Sequence, residues 1–298
     1  MVRPREISKS LSLFAARTPT LPPATHTNSY AIGGRDVVLV EPATPYEDEQ
    51  KAWLEWARAL ESQGRKLVAI FATHHHEDHV GGIEVLAAEL GVPVWAHDRT
   101  VERLDPRTRG LVTRRLADGD EIVLQGPRVE SWRALHTPGH APGHVCLFEE
   151  RTRTAIVGDM VASVGTILIA PGDGDMQVYL AQLERLAELN ASLALPAHGE
   201  PIDEPTTLFR KYIAHRLARE AKVLDAVRKA GPDGADAMSL VPDAYADTPT
   251  HLWPIAKLSL EMHLEKLERE GTVTRTTSGD GDAENGPVRA ATFRMAVK

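Results

Sequence analysis

The sequence predicts an α/β chain followed by a small C-terminal domain of three helices and a hairpin. Three observations support this prediction. Apolar runs of strand length alternate with amphipathic segments through most of the chain. Turns that carry His and Asp follow several of these runs, and α/β folds usually place their chemistry in such loops. After residue 215 the alternation gives way to helix-like segments and a hairpin pattern.

The strand-like runs are short and rich in β-branched residues. The clearest of them are Val37 to Val40, Lys66 to Ala72, Val92 to Ala96, Ile122 to Leu124 and Val145 to Phe148. A helix is predicted over Tyr179 to Leu189, because leucines recur there at helical spacing and share one face. A second, short helix is predicted over Ile83 to Leu90, after two glycines.

The most informative motif is the turn after Ala72, which holds the pattern His-x-His-x-Asp-His. Its members are His74, His76, Asp78 and His79. Imidazole and carboxylate are ligands that zinc accepts. Because these side chains point in different directions, they do not all reach one tetrahedral ion. The motif therefore predicts two neighbouring ions, with His74 and His76 on the first and Asp78 and His79 on the second.

Three later turns complete the predicted site. His140 lies in a turn rich in Gly and Pro and offers a third nitrogen to the first ion. Asp159 follows an apolar run, and its two oxygens allow it to bridge both ions. His198 follows the run Ala191 to Leu195 and serves the second ion. Each ion keeps room for a water molecule, which is typical of a catalytic rather than a structural site.

These motifs, in this order and each at a strand end, resemble the metallo-β-lactamase superfamily from about Ser29 to about His215. The resemblance implies an αββα sandwich, with two mixed sheets face to face, helices outside and the metals at one rim. Zinc is the expected ion, and the ligand set also accepts manganese or iron.

Composition limits the remaining possibilities. The net charge of −8 argues against general nucleic-acid affinity but allows a local basic groove. The single cysteine excludes an internal disulfide, and no apolar run has the length of a signal core or a membrane span. We expect a cytoplasmic protein with no membrane partner.

The C-terminal part has the order helix, helix, helix, hairpin, which is a winged-helix layout. The predicted elements are Pro205 to Ala230 (one or two helices), Ala237 to Leu240, Pro254 to Glu270, and a hairpin of Thr272 to Thr276 with Val288 to Met295 around a flexible polar loop, Ser278 to Pro287. The third helix is too acidic to read DNA as such helices usually do. We therefore expect it to pack or to form a homodimer, and we divide the chain into a catalytic domain, 1–215, and a winged-helix-like domain, 216–298.

This tail makes the resemblance more specific. The segments Tyr212 to Arg216, Ser163 to Ile169 and Glu261 to Gly271 are similar to the lactamase-β-like ribonuclease branch of the superfamily. Animal members of that branch cut single-stranded RNA, whereas related fungal members are thioesterases that release polyketides from carrier proteins. The branch therefore implies a hydrolase without fixing its substrate.

The predicted chemistry is attack by a hydroxide that bridges the two ions, since the cations lower the pKa of the water between them. We assign catalytic roles to Asp78, which both binds metal and orients the hydroxide, and to His144 and His215. His144 either orients a ligand or substrate or simply begins a strand. His215 either meets the substrate or plays no part, and Arg216 is expected to pair with Glu220 on its own helix.

Three functions remain open. A nuclease for single-stranded RNA requires a positive groove, for which the candidates are Arg107, Arg109, Arg114, Arg115, Arg210, Lys211 and Arg216. A thioesterase or esterase for a small acyl substrate requires an apolar pocket, for which the candidates are Met160, Ile167, Leu168, Ile169 and Met176. A non-catalytic binding module stabilised by its metals is the third. Hydrolysis of β-lactams is at best a side activity, because cysteine-ligand lactamases have a cysteine where this chain has Asp159.

Overall fold

A sandwich of two β-sheets forms the centre of the larger domain in the computed structural model, which describes residues 3–276 and 291–297. The first sheet has the strand order β1 to β7: Arg5–Ser8, Leu11–Arg17, His26–Ile32, Asp36–Val40, Lys66–Phe71, Val94–Ala96 and Val112–Arg115. Strands β1 to β4 are antiparallel, and β4 to β7 are parallel.

The second sheet packs face to face on the first. Its order is β12-β11-β10-β9-β8, and the strands are β8 Glu121–Leu124, β9 Glu130–His136, β10 Val145–Glu149, β11 Thr154–Gly158 and β12 Leu193–Pro196. Apolar side chains from both sheets, such as Tyr30 and Phe71 from the first and Trp132 and Leu147 from the second, share one buried cluster. This cluster is the core of the sandwich, and its burial is the main source of the stability of the domain.

Helices cover both outer faces of the sandwich. The helices of the larger domain are α1 Glu47–Ser62, α2 Glu77–Val80, α3 Ile83–Leu90, α4 Asp98–Val101, α5 Pro106–Gly110 and α6 Met176–Glu188. Helices α1 and α3 bury apolar side chains against the first sheet, and α6 does so against the second. The αββα sandwich that the sequence predicted is thereby confirmed.

The C-terminal domain contains the predicted three helices and a small sheet. Its elements are α7 Pro205–Lys229, β13 Ala235–Asp236, α8 Ala237–Ala244, a 3₁₀ turn Thr250–Leu252, α9 Trp253–Arg269, β14 Val273–Thr276 and β15 Thr292–Met295. Strand β15 lies between β13 and β14. The winged-helix layout is confirmed. The predicted loop Ser278 to Pro287 and the start of the last predicted strand, residues 288–290, lie outside the described residues.

Helix α7 joins the two domains and passes through the predicted boundary at residues 215 and 216. Phe209 and Tyr212 in its first half pack into the core of the larger domain. Val223 and Val227 in its second half pack into the core of the C-terminal domain. One continuous helix therefore belongs to both cores, and the exact division stays a prediction. Among the described residues, no helix is both long and apolar enough to cross a membrane.

The sequence turns singled out above all lie at one rim of the sandwich. The run from Thr73 to His79 follows the carboxyl end of β5, Asp159 follows β11, and His198 follows β12. His140 lies in the turn between β9 and β10. Parallel neighbours such as β11 and β12 end at the same edge of a sheet, so the fold gathers side chains that are distant in sequence.

The turn that carries His140 packs tightly against α6. Gly139 has a φ of 125°, and a Cβ atom added there would lie 2.4 Å from the Cα of Tyr179. Any other residue at this position would therefore be strained and would push the turn away from the helix. The glycine allows the close approach of the His140 turn to α6.

We predict that Gly139→Ala lowers the melting temperature by at least about 2 °C, because the methyl group clashes with α6 and the backbone is strained. Thermal unfolding followed by circular dichroism measures this. Gly110→Ala is the matched control, since a Cβ there would meet no atom within 4 Å. Equal melting temperatures for the two variants would show that the turn accommodates a side chain without cost.

Candidate metal centre

Three imidazole nitrogens converge in the first cluster of the rim. Nε2 of His74 lies 3.0 Å from Nδ1 of His76. Nε2 of His140 lies 3.3 Å from the former nitrogen and 3.0 Å from the latter. These three residues are the ones that the sequence assigned to the first ion, and the structure brings them together.

The second cluster contains Asp78, His79 and His198. Nε2 of His198 lies 3.5 Å from Oδ2 of Asp78, and Nε2 of His79 lies 3.7 Å from Oδ1 of the same carboxylate. These are the residues that the sequence assigned to the second ion. Their ligand atoms face one another across a gap rather than forming close hydrogen bonds, which is the spacing of a coordination shell.

Asp159 lies between the clusters and faces both of them. Its Oδ2 is 3.5 Å from Nε2 of His140 in the first cluster. Its Oδ1 is 3.3 Å from Nε2 of His198 and 3.5 Å from Nε2 of His79 in the second. One carboxylate thus presents an oxygen to each cluster, which is the arrangement of a bridging ligand.

The electrostatics of the rim suit cations. Burial lowers the pKa of His140 to about 4 and that of His74 well below its usual value, so both rings are neutral at neutral pH. Burial alone would raise the pKa of the Asp159 carboxyl, but His198 and His79 hold it well below its usual range. The first cluster therefore offers neutral imidazoles beside an ionised carboxylate, as metal binding requires. In the second cluster burial is outweighed by the nearby carboxylates, which raise the pKa of His79 and of His198, so a cation that binds there would displace protons from these rings.

Two buried polar atoms of the candidate ligands have no hydrogen-bond partner within the described part of the chain. They are Nε2 of His79 and Oδ1 of Asp159. Buried polar atoms normally find a partner, and both of these atoms point into the same gap between a carboxylate and two imidazoles. A divalent cation would satisfy both, so the residues present fit the metals that the sequence predicts.

Glu41, which the sequence analysis missed, orients ligands in both clusters. It follows β4 and is buried, and its backbone has a positive φ of 62°. Its Oε1 accepts a hydrogen bond from Nδ1 of His79 at 3.1 Å and one from the Thr73 hydroxyl at 2.5 Å. That hydroxyl in turn accepts from Nδ1 of His74 at 3.0 Å. The protons on the Nδ1 atoms leave both Nε2 atoms free to bind metal.

The remaining histidines of the site have partners on their outer nitrogens as well. His140 donates from Nδ1 to the carbonyl oxygen of Leu168 at 2.9 Å, and His198 donates from Nδ1 to that of His26 at 3.0 Å. Nε2 of His76 lies 3.3 Å from the carboxylate of Asp173, a second residue that the sequence analysis missed. Each partner fixes the tautomer that turns a lone pair toward the clusters.

Of the two histidines that were expected to be catalytic, His144 is buried and His215 lines the cavity. His144 is fully buried, and its Nε2 accepts the backbone N–H of Asp159 at 3.0 Å. It therefore holds the backbone of the Asp159 turn, which agrees with the alternative that it orients a ligand, and its catalytic role stays a prediction. His215 lines the cavity beside the clusters, and its catalytic role stays a prediction.

A cavity of about 580 Å³ opens directly onto both clusters. Its walls come from the loop Pro19 to Ala24, the segment from Ala162 to Pro171, and helices α7 and α9. Ile167 and Leu168 line it as the sequence predicted. The other candidates for an apolar pocket (Met160, Ile169 and Met176) lie in the buried core instead.

Of the cations that were candidates for an RNA groove, Arg216 alone lies on this cavity. It is buried, and it donates to the Thr166 hydroxyl at 3.0 Å and to the carbonyl oxygen of Ile167. The expectation that it pairs with Glu220 is wrong, because that carboxylate binds His263 and Lys266 of α9. Residues of α9 line the cavity, whereas Glu220 does not line it and instead binds two side chains of α9.

Comparisons with known proteins agree with this geometry. Residues 22–198 match the family model of the metallo-beta-lactamase superfamily, and residues 237–282 match that of the beta-lactamase associated winged helix domain. A beta-lactamase-like protein 2 homolog from Drosophila melanogaster is 31% identical over 85% of this chain and 86% of its own length.

Two further likenesses extend the comparison. An atrochrysone carboxyl ACP thioesterase from Pseudocercospora fijiensis is 27% identical over 86% of this chain and 70% of its own length. The crystal structure of a metallo-beta-lactamase family protein from Thermus thermophilus superimposes with a TM-score of 0.74, covering 97% of this chain and 100% of that one at 23% identity. The structural likeness supports the fold.

We predict that Glu41→Gln weakens metal binding about 10- to 100-fold, because an amide orients the His79 and Thr73 protons less strongly than a carboxylate. Titration of metal against a chromogenic chelator measures the affinity. Glu149→Gln is the matched control, since Glu149 is also buried at a strand end but binds Thr152. Unchanged affinity in the Glu41 variant would exclude an orienting role for this carboxylate.

Proposed function

Because the chain belongs to the metallo-beta-lactamase superfamily of hydrolases, we propose that it hydrolyses thioesters or esters with an apolar acyl group. The observation that carries this proposal is the cavity, whose apolar walls open onto both metal clusters. A ligand pocket of this volume is large enough for a small acyl substrate. The carbonyl carbon of that substrate would lie at the clusters and its acyl chain against the apolar walls.

The positions of the cations favour an acyl substrate over RNA. A phosphodiester chain needs a groove with free Lys or Arg side chains. Arg216 and Arg219 are the cationic side chains on the cavity, and both are already hydrogen bonded within the protein. Arg114 and Arg115 lie on the edge strand β7, where they bind the carbonyl oxygen of Glu121 and the carboxylate of Asp98.

The names of the relatives point the same way. Among the proteins similar to this chain are two named atrochrysone carboxyl ACP thioesterase and one named thioesterase. The fungal relative described above matches 86% of this chain, so the similarity includes the C-terminal domain. This similarity supports hydrolysis of a thioester bond. The apolar character proposed for the acyl group rests on the walls of the cavity.

The residues that would hold the metals are the two clusters with Asp159 between them. We propose two divalent ions, with zinc favoured by the nitrogen-rich ligand set and manganese or iron as alternatives. Bound there, the ions would lower the pKa of water and polarise the substrate carbonyl. Asp78, on the cavity side of the second cluster, would accept a hydrogen bond from the attacking water and orient it.

The reaction that these groups support is a simple hydrolysis. The oxygen of water bonds to the carbonyl carbon, and the carbon–sulfur bond of the thioester breaks. The electron pair of that bond leaves with the sulfur, and the protons of water are shared between the carboxylic acid and the thiol. His215, which lines the cavity, is the candidate to give a proton to the leaving sulfur. Burial lowers the pKa of its imidazole, and Arg216 and Arg219 lower it further, so the ring is neutral at neutral pH. It would therefore first take up the proton that the attacking water loses and then pass it to the sulfur.

We predict that Asp159→Asn lowers thioester hydrolysis at least about a hundredfold, because an amide does not supply an anionic oxygen to each cluster. A panel of an acyl thioester, labelled single-stranded RNA and a chromogenic cephalosporin measures the activity, with and without a chelator. Asp203→Asn is the control, since Asp203 is an exposed acid.

The panel separates the remaining functions. Chelator-sensitive hydrolysis of the thioester that depends on Asp159 supports the proposal. Cleavage of RNA alone, with the same dependence, would replace it by a nuclease. Equal activity in wild type and the Asp159 variant would contradict the placement of the chemistry between the two clusters.

A further inference from the structure

The C-terminal domain supplies one complete wall of the cavity. Tyr245, Leu252, Ile255, Ala256 and Ser259 all line it. The last four of these lie at the start of α9 or in the turn just before it. Another part of the wall comes from the loop Pro19 to Ala24 of the larger domain. Residues of both metal clusters therefore line a cavity whose walls come from both domains.

Large apolar side chains on this cavity are unusually exposed. Leu21 is 50% exposed, Val164 is 64% exposed, Leu252 is 37% exposed and Ile255 is 36% exposed. They come from three separate segments and from both domains. Single exposed apolar side chains are ordinary, but several that converge in a concavity indicate a surface that is covered by an apolar ligand.

Ion pairs and hydrogen bonds hold the C-terminal wall in position. Arg219 is buried and bonded to both carboxylate oxygens of Asp247, and its guanidinium stacks 4.2 Å from the ring centre of Tyr245. Arg269 of α9 reaches Asp175 at the start of α6, with 2.6 Å between donor and acceptor. The Arg269 contact ties the C-terminal end of α9 to the larger domain, and the Arg219 contacts tie α7 to the segment that precedes α9.

We infer that the start of α9 is the acyl-specificity wall, where Leu252 and Ile255, together with Leu21 and Val164, contact the acyl chain. This inference rests on the proposed function, because it places the scissile carbonyl at the clusters and the chain beyond it. The C-terminal domain then selects the length of the acyl group by the number of methylene groups that it covers. Each covered methylene contributes about fourfold to kcat/KM or to affinity.

The experiment compares catalysis with binding in the full-length protein. Hydrolysis is measured on saturated acyl thioesters of N-acetylcysteamine from acetyl to decanoyl. Binding is measured by calorimetry with the ethyl and octyl thioethers of N-acetylcysteamine, which are not hydrolysed. The test variant is Leu252→Ser with Ile255→Ser, and both positions are exposed enough to accept serine without unfolding.

Met238→Ser is the matched control. Met238 lies in α8 of the same domain and is 42% exposed, but it does not line the cavity. We expect the wild type and this control to prefer longer chains by about fourfold per methylene over the covered length. In the double variant, affinity for the octyl thioether should fall about tenfold or more, and the preference for longer acyl chains should fall with it.

The two readouts separate this inference from the proposed function. If the octyl and ethyl thioethers bind the wild type equally, or if the double variant binds the octyl compound as the control does, the acyl-specificity wall is wrong. If the octyl compound binds through the wall but no thioester is hydrolysed, the wall stands and the proposed reaction is wrong. Circular dichroism of each variant verifies the fold.

Discussion

A single buried carboxylate sets the chemical state of the candidate metal centre. Glu41 accepts the Nδ1 proton of His79 directly and, through the Thr73 hydroxyl, directs the Nδ1 proton of His74 outward. These histidines belong to different clusters, so one side chain orders lone pairs in both. The constraint is electrostatic as well as geometric, because an ionised carboxylate raises the basicity of the imidazoles that it binds. Asp159 can share cations with these histidines only when the lone pairs of their Nε2 atoms face the gap between the clusters.

The carboxylate in turn depends on the register of two parallel strands. Val40 at the end of β4 pairs with Phe71 at the end of β5, so Glu41 and Thr73 emerge beside each other at the rim. The backbone N–H of Glu41 bonds to the carbonyl oxygen of Phe71 at 2.9 Å, and its positive φ turns the side chain inward. Burial of Val40 and Phe71 in the sandwich core fixes this register. Packing of the core therefore determines where Glu41 lies and, through its hydrogen bonds, how His74 and His79 are oriented.

This dependence explains which parts of the site could be predicted from the sequence. The turns that carry His74, His140, Asp159 and His198 each follow a local pattern, and strand ends meet at one rim, so their convergence could be anticipated. Glu41 is a single acid after a strand, and nothing local distinguishes it from an acid in any loop. Its role requires the pairing of β4 with β5, which is a long-range property. Strand β3 was missed for a related reason, because His26–Ile32 contains polar residues that the sandwich buries.

Composition could not show whether the cations of the cavity are free to bind a ligand, because their partners are set by the fold. Three residues near the middle of α7 bind three different segments. Arg216 holds the loop at Thr166, Arg219 holds Asp247, and Glu220 holds His263 and Lys266 of α9. In the sequence Arg216 was a candidate to bind the phosphates of RNA. In the fold each charge already has a partner: Arg216 reaches the larger domain, whereas Arg219 and Glu220 bind within the C-terminal domain. A phosphate would have to break the contacts of the two arginines and leave buried groups unpaired, at a cost of about 1–3 kcal/mol each. The proposed apolar acyl chain needs no such exchange, so α7 is compatible with an uncharged ligand beside the candidate metal centre.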